Sequence, residues 1–169
     1  MPRKCYPLDQ SAFYKVTSPG QLAARLNVSL AHLEELAAHT DNYKVYPISS
    51  NGKTRIVEEP KAKLQALHKR INNLLARCET PAYLHSAIKG RSYLTNARAH
   101  DGSEAVIKVD VRSFFRSVKR VSVYDFFCKH MKCAPHVSGL LARLLTYDGH
   151  LPTGSSASPI MSYYAHKEM

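Results

Sequence analysis

The chain has 169 residues, 44% of them hydrophobic, so it can bury a core and corresponds to one domain or to part of a larger protein. It has no apolar run of about 20 residues, and its polar start lacks the apolar centre of a signal peptide, so we expect no membrane partner. Its four cysteines show no disulfide-framework spacing, which favours the cytoplasm.

The positive charge is concentrated in two segments. The net charge is +11 at pH 7. Residues 51–77 contain seven Lys and Arg against two Glu, and residues 85–120 contain eight against three acids, so each segment carries a net +5. A polyanionic partner is therefore expected, and nucleic acid is favoured over a membrane surface because no basic amphipathic helix stands out.

The first predicted elements are two short helices within residues 18–39, the second with Ser29 as a plausible N-cap. Leucines at helical spacing mark them: Leu22 and Leu26 in the first, Leu30, Leu33 and Leu36 in the second. Such a pair is compatible with a DNA-binding helix-turn-helix. A helical cap that packs on the rest of the chain is the more common use of short helix pairs.

A β-hairpin is predicted for residues 43–59, with apolar residues on both arms and a turn at Asn51-Gly52. Pro60 is then expected to open a helix. Its apolar face has helical spacing, and its other face is basic. The apolar face consists of Leu64, Leu67, Ile71, Leu74 and Leu75, and the basic face of Lys61, Lys63, Lys69, Arg70 and Arg77.

The second half of the chain predicts one strand and several helices. Residues 79–100 are irregular or short-helical, and residues 104–111 (EAVIKVDV) form the most strand-like run. Helices are expected near Val123–Met131 and Ser138–Thr146, and a loop over residues 147–159 precedes a helix with Pro159 in its first turn. The order of helices, hairpin, helix, strand and helices predicts an α+β fold.

Asp110 is the sharpest candidate for chemistry. It ends the predicted buried strand, where a carboxylate needs a partner. Lys108 or a neighbouring arginine could pair with it, or its oxygens could bind Mg²⁺. A single carboxylate makes a weak metal site, and the chain contains no second acidic cluster of the kind that two-metal phosphoryl chemistry needs.

Other candidates are open to two interpretations. Lys53 and Arg55 flank the hairpin turn. They could clamp a phosphate, or they could form a solvated tip of the hairpin. Phe114 and Phe115 suggest core packing for at least one ring. The LPTGSSASP loop either connects elements or presents amides to an anion. The CKHMKCAPH segment fits zinc signatures poorly; it contains Cys128, His130, Cys133 and His136.

Taken in order, five segments resemble the successive blocks of bacterial reverse transcriptases of the retron type and their phage-defence relatives. They are NGKTRIVEEP, LQALHKRI, HSAIKGRSYLTNARAH, VIKVDVRSFFRSV and LPTGSSASP. The resemblance covers about residues 20–169. The most specific part is the pair DVRSFFRSV and LPTGSSASP, with Asp110 and Leu151 41 positions apart.

This resemblance implies a right-hand polymerase fold, within the α+β class. A helical region over residues 1–42 would precede fingers over 43–104 and a partial palm over 105–169. The chain would be the N-terminal part of an RNA-directed DNA polymerase that copies a structured RNA, in phage defence. Its partners would be the RNA template, the RNA–DNA hybrid, dNTPs, and the remainder of the polymerase in cis or as a second chain.

The resemblance also implies roles for individual residues. Asp110 would be the first catalytic aspartate and, with the Val111 carbonyl, would ligate Mg²⁺. Phe115 would be the steric gate against a ribose 2′-OH. Nucleotide contacts would come from Lys53, Arg55, Val111, Phe115, Thr153 and Gly154, and template or primer contacts from Arg91, Ser92, Asn96, Ser158 and Pro159.

Two departures from the family pattern leave alternatives open. Thr153 stands where Gln is more usual, which puts a contact to the nucleotide sugar in doubt. The YxDD block that supplies the second metal-binding aspartates is absent and would be expected beyond Met169. A non-catalytic RNA-binding or scaffold protein of the same fold is the main rival. A DNA-binding regulator that uses the N-terminal helices is a further one.

Overall fold

A computed structural model describes residues 5–39, 41–50 and 52–166 of the chain. They form a mixed helical and stranded fold, in agreement with the predicted α+β class. The strands are β1 (Tyr43–Ser50) and β2 (Lys53–Pro60). The α-helices are α1 (Pro19–Leu26), α2 (Leu30–Ala38), α3 (Ala62–Leu75), α4 (Tyr93–Arg98), α5 (Phe114–Ser117), α6 (Arg120–Asp125), α7 (Pro135–Leu145) and α8 (Ser158–Ala165). Short 3₁₀ and π turns occupy Leu8–Gln10 and Phe126–His130.

The two N-terminal helices are confirmed, and each begins at a serine cap. The Ser18 hydroxyl accepts a hydrogen bond from the Gln21 amide, and the Ser29 hydroxyl accepts one from the His32 amide, which satisfies donors that a helix start leaves open. Their apolar faces contact α3 and α7. The buried residues on these faces include Leu22, Leu26, Leu33 and Leu36. This is the packing of a helical cap.

The predicted hairpin is confirmed as an antiparallel pair in which Tyr43 lies opposite Pro60 and Ser50 opposite Lys53. Gly52 in the turn has φ +71°, a conformation that glycine adopts without a steric penalty. Asn51, the other predicted turn residue, lies outside the described residues. Pro60 is the last residue of β2 and does not open the helix, since its place opposite Tyr43 keeps it in the strand.

The core lies between the three helices α1, α2 and α3 and the later helices α6, α7 and α8. As predicted, α3 buries one face, and the Tyr164 hydroxyl of α8 donates to the Leu75 carbonyl at 3.3 Å. A cluster of aromatic rings fills the centre: the Phe126 centroid lies 5.0 Å from that of Phe127 and 4.9 Å from that of Tyr164. The predicted helices around residues 123–131, 138–146 and 159 are present, with the first two beginning three residues earlier, at Arg120 and Pro135.

The predicted strand over residues 104–111 is wrong for this structure, where the segment is irregular. Its apolar side chains are exposed, with Val106 at 64%, Ile107 at 91% and Val109 at 83%. A strand needs a neighbour to complete its hydrogen-bond ladder, and within the described residues the sheet contains only β1 and β2, which pair with each other. Apolar alternation alone therefore does not make a strand.

None of the helices in the described part of the chain is long and apolar enough to cross a lipid bilayer. The four cysteines all lie within the described residues and form no disulfide bond.

Candidate active site

A cavity of about 480 Å³ opens between three parts of the chain that are distant in sequence. Residues 54–56 of β2 form one wall, residues 110–116 (except Arg112) form the second, and Thr153 of the LPTGSSASP loop forms the third. Four of the six residues expected to contact the nucleotide therefore meet around one space with Asp110, the expected metal ligand; the four are Arg55, Val111, Phe115 and Thr153. The cavity is the candidate site.

Asp110 lies in the irregular segment before α5 and is exposed. It makes no ion pair with any residue that the structure describes, so the alternative in which Lys108 or a nearby arginine neutralises it is not seen. Its carboxylate and the adjacent Val111 carbonyl are oxygen ligands of the type that Mg²⁺ prefers. Within the described ranges, no group of three His, Cys, Asp or Glu side chains is placed to hold a metal ion, so these two ligands form a partial set.

The two consecutive phenylalanines have different environments. Phe115 is half-buried and packs against the hydrophobic core, which confirms that at least one of the two rings contributes to packing. Phe114 is 40% exposed, and its ring lies 5.7 Å from Phe115 and 6.2 Å from the His166 ring. Both line the cavity, and Phe115 is the more buried of the two.

The LPTGSSASP loop docks on the backbone of β2. The Gly154 amide donates to the Glu58 carbonyl at 3.0 Å. The Thr153 hydroxyl accepts from the Glu58 amide at 3.0 Å and donates to the Ile56 carbonyl at 3.2 Å. A side chain at Gly154 would place Cβ 2.9 Å from the Glu58 carbonyl oxygen, so only glycine fits this close approach. The loop is thus a connector and a cavity wall together.

Two side chains of α3 fix the same loop from the other side. The fully buried His68 donates through Nε2 to the Leu144 carbonyl at 2.7 Å, so its Nδ1 accepts from the Ser155 hydroxyl at 2.7 Å. Burial lowers the pKa of His68 to about 4, which keeps the ring neutral at pH 7. The Gln65 amide group donates to the Gly154 carbonyl at 3.2 Å and accepts from the Ser156 hydroxyl at 3.2 Å.

The remaining predicted site residues are not gathered at the cavity. Among the described residues, Lys53 and Gly154 lie outside its lining, Lys53 exposed next to the hairpin turn. The Arg91 guanidinium donates to the Pro81 and Leu84 carbonyls, and Ser92 caps α4 with Asn96 in the first turn and a half of that helix. Ser158 is buried and donates to the Pro152 carbonyl at 2.7 Å, and Pro159 lies in the first turn of α8.

The weak zinc candidate does not assemble. The Cys133 thiol is buried, donates to the Phe13 carbonyl at 3.0 Å, and has its pKa raised to about 11 by burial. A thiol held protonated in this way is a poor metal ligand, because the thiolate is the form that binds. The nearby His136 is exposed.

The sequence analysis missed a buried ionic cluster beside the cavity. Glu58 of β2 is 1% exposed, and its carboxylate accepts from Arg116 Nη2 at 2.6 Å. His150 Nε2 lies 3.1 Å from each carboxylate oxygen. Strand alternation was the available signal, since it places Glu58 on the same face of β2 as Thr54 and Ile56, which line the cavity.

The chain is similar in sequence to curated retron reverse transcriptases. The retron Se72 reverse transcriptase of Salmonella heidelberg is 32% identical over 155 residues, 89% of this chain and 40% of that protein. The retron Mx162 reverse transcriptase of Myxococcus xanthus is 33% identical over 111 residues, 62% of this chain and 23% of that protein. The retron Ec86 reverse transcriptase of Escherichia coli is 26% identical over 121 residues, 69% of this chain and 38% of that protein. No protein-family model matches the chain.

Proposed function

The chain is a relative of retron reverse transcriptases that spans 23–40% of the length of those it matches, and we propose that it is the N-terminal part of an RNA-directed DNA polymerase. The proposed layout is a helical region over residues 1–42, fingers over 43–104 and the first half of a palm over 105–169. Together they would form part of a right-hand polymerase. The observation that carries the proposal is the cavity on which Arg55, Asp110, Phe115 and Thr153 converge.

The proposed reaction is attack by a primer hydroxyl on the α-phosphate of a dNTP, with release of pyrophosphate. The residues present fit part of a magnesium site: the Asp110 carboxylate and the Val111 carbonyl would hold the ion. Bound Mg²⁺ would neutralise negative charge that develops on the phosphates. The Arg55 guanidinium, with Lys53 next to the turn, would contact the triphosphate by charge-assisted hydrogen bonds. The second pair of carboxylates would come from a further segment that bears a YxDD block.

The walls of the cavity would select the sugar. The half-buried Phe115 ring would obstruct a 2′-OH and so favour deoxynucleotides. Thr153 would act as a fixed wall, because its hydroxyl already donates to one β2 backbone group and accepts from another. The usual Gln would reach further into such a space. Gly154 would allow the loop to lie this close to β2.

The template would be a structured RNA, held by the basic segments on both sides of the cavity. Arg91, Ser92 and Asn96 would contribute from the region of α4, and Ser158 and Pro159 would support the primer-template from the start of α8. For Ser158 this support would be indirect, through the shape of the loop, since its side chain is buried. Action in the cytoplasm and in phage defence belongs to the same proposal.

The role of Asp110 is tested by Asp110→Asn in a polymerase that contains this chain. The change keeps the side-chain volume and removes the charge that would hold Mg²⁺, so we expect primer extension to fall by about a hundredfold or more, equivalent to roughly 3 kcal/mol. The matched control is Asp101→Asn, an exposed aspartate outside the cavity lining. Equal extension by both variants would reject Asp110 as a catalytic ligand.

A further inference from the structure

Glu58 is the residue at which all three walls of the cavity are joined. Its backbone amide and carbonyl bind Thr153 and Gly154 of the loop, at 3.0 Å each. Its carboxylate binds Arg116, which directly follows Phe115 in α5. The same carboxylate faces His150, which directly precedes the loop at Leu151. One buried side chain of β2 therefore contacts the two segments that complete the cavity.

The Glu58 carboxylate is buried between Arg116 and His150. Glu58 is 1% exposed, and a buried carboxylate is stable only when its oxygens are paired and hydrogen-bonded. His150 has oxygen acceptors at both ring nitrogens, the Asp148 carbonyl at 3.1 Å from Nδ1 and the carboxylate at 3.1 Å from Nε2. A ring that carries a proton on Nε2 donates to the carboxylate. The carboxylate thus receives donors from two directions.

We propose that Glu58 is a positioning residue for the nucleotide cavity. Its charge holds α5 and the LPTGSSASP loop at fixed distances from β2, and so fixes Phe115 and Thr153 relative to Arg55. The ligand, a deoxynucleoside triphosphate, rests on the proposed function. Glu58 is not part of the cavity lining, to which β2 contributes Thr54, Arg55 and Ile56.

Glutamine cannot reproduce the ion pair that this carboxylate makes with Arg116. A Gln side chain has the same length but offers one oxygen and one NH₂ group. Its oxygen can still accept from Arg116, but a neutral amide replaces the ion pair between Glu58 and the Arg116 guanidinium. Glu58→Gln therefore separates the effect of charge from the effect of size. It should loosen the attachment of α5 and the loop while it leaves the packing volume unchanged.

The matched control is Glu59→Gln, the same chemical change one residue later. Glu59 lies on the opposite face of β2, where its carboxylate accepts from the Tyr46 hydroxyl at 2.9 Å. Amide hydrogen exchange on the purified 169-residue chain is the first readout. Two amides report on the attachment: Leu151, which donates to the Val118 carbonyl, and Gly154, which donates to the Glu58 carbonyl.

We expect both amides to exchange about tenfold faster in Glu58→Gln than in Glu59→Gln, while amides in the middle of α7 stay within about twofold. A general loss of stability would accelerate the α7 amides to the same extent. The second readout is the affinity for dATP with Mg²⁺, which should weaken by about tenfold in Glu58→Gln only. Glu58→Asp, which retains the charge on a shorter arm, should recover part of this affinity.

Equal exchange of Leu151 and Gly154 in the two Gln variants would overturn the inference, as would acceleration that includes α7 equally. If the exchange result holds but the unmodified chain binds no dATP, the proposed function fails for this chain while the positioning role stands. If Glu58→Gln does not fold, Arg116→Gln removes the same ion pair from its half-exposed side. Unchanged exchange of the two amides in that variant would then reject the proposal.

Discussion

Phe115 combines two tasks that a sequence pattern cannot separate. Its ring packs against the core and also lines the cavity. Consecutive phenylalanines after an apolar run predict packing, and only the three-dimensional arrangement assigns one ring to the core and leaves the other 40% exposed. The resemblance to retron reverse transcriptases assigns the sugar gate to the half-buried ring, which is the one better fixed to act as a wall.

Phe115→Ala should raise the incorporation of ribonucleotides relative to deoxynucleotides by about tenfold or more, because the obstruction to a 2′-OH is removed. Loss of a half-buried ring should also cost about 2 kcal/mol of unfolding free energy. Competitive incorporation of dATP and ATP by the polymerase measures the first effect. Phe114→Ala, at the exposed neighbour, should shift this selectivity much less. Equal shifts would leave the gate unassigned.

His68 shows how a residue on a predicted apolar helix face can anchor a distant loop. Its spacing in α3 places it among leucines, and burial lowers its pKa to about 4 while the Leu144 carbonyl acts against that shift. Since the unfolded-state pKa of histidine is about 6.5, the unfolded chain binds the proton first as the pH falls. The contribution of the neutral His68 to the unfolding free energy is fully present above pH 6.5 and is lost progressively as the pH falls towards 4.

His68→Gln should remove this pH dependence. Between pH 7.5 and pH 4 the unmodified chain should lose about 3 kcal/mol more unfolding free energy than the variant, since the shift is about 2.5 pH units. Urea unfolding at a series of pH values measures the difference. His136→Gln changes an exposed histidine of α7 and should retain the full dependence. Identical curves for the chain and His68→Gln would show that His68 is not the group that titrates.

At the scale of elements, the contact between the LPTGSSASP loop and β2 determines the shape of the site. Gly154 approaches the β2 backbone so closely that a Cβ would lie 2.9 Å from two of its atoms. The other end of the loop is held by the hydrogen bond from the Ser158 hydroxyl to the Pro152 carbonyl and by the start of α8. A loop built in this way is largely buried.

Two glycine-to-alanine substitutions should change the unfolding free energy in opposite directions. Gly154→Ala should lower the unfolding free energy by about 1–3 kcal/mol, because its methyl group overlaps the β2 backbone. Gly139→Ala, in α7, meets no atom within 4 Å and should raise it by about 0.5–1 kcal/mol through helix propensity. Thermal or urea unfolding of both variants measures the pair. A neutral Gly154→Ala would mean that the loop does not pack on β2 as described.

The hairpin and the helices could be predicted because their signals are local: capping serines, a turn glycine and apolar residues at helical spacing. Residues 104–111 could not, since a strand depends on a partner that periodicity does not reveal. Their exposed Val106, Ile107 and Val109 agree with the proposal that further palm strands would cover them. Strand alternation indicates the face of β2 on which Glu58 lies, but its partners Arg116 and His150 could not be predicted, since they are 58 and 92 positions away along the chain.

At the scale of the whole molecule, the family resemblance assigned roles to residues that are distant in sequence, and the structure brings four of the six expected nucleotide contacts together with Asp110 at the cavity. Composition alone predicted only a basic protein with a nucleic-acid partner. The motifs also indicated candidate site residues, because the order and spacing of motifs carry information about contacts between distant parts of the chain. Asp110 and the Val111 carbonyl form only part of a metal-ligand set, so the proposed catalysis would need a second acidic segment.

Primer extension by the 169-residue chain tests the central claim most directly. The chain is given Mg²⁺, dNTPs and a primed RNA template, alone or with a YxDD-bearing segment from a retron reverse transcriptase, either fused after Met169 or added as a second chain. We predict extension only when that segment is present, and its loss in Asp110→Asn, because one aspartate cannot hold two metal ions. Robust extension by the chain alone would contradict this picture of the active site, and no extension in either arrangement would favour a non-catalytic RNA-binding protein.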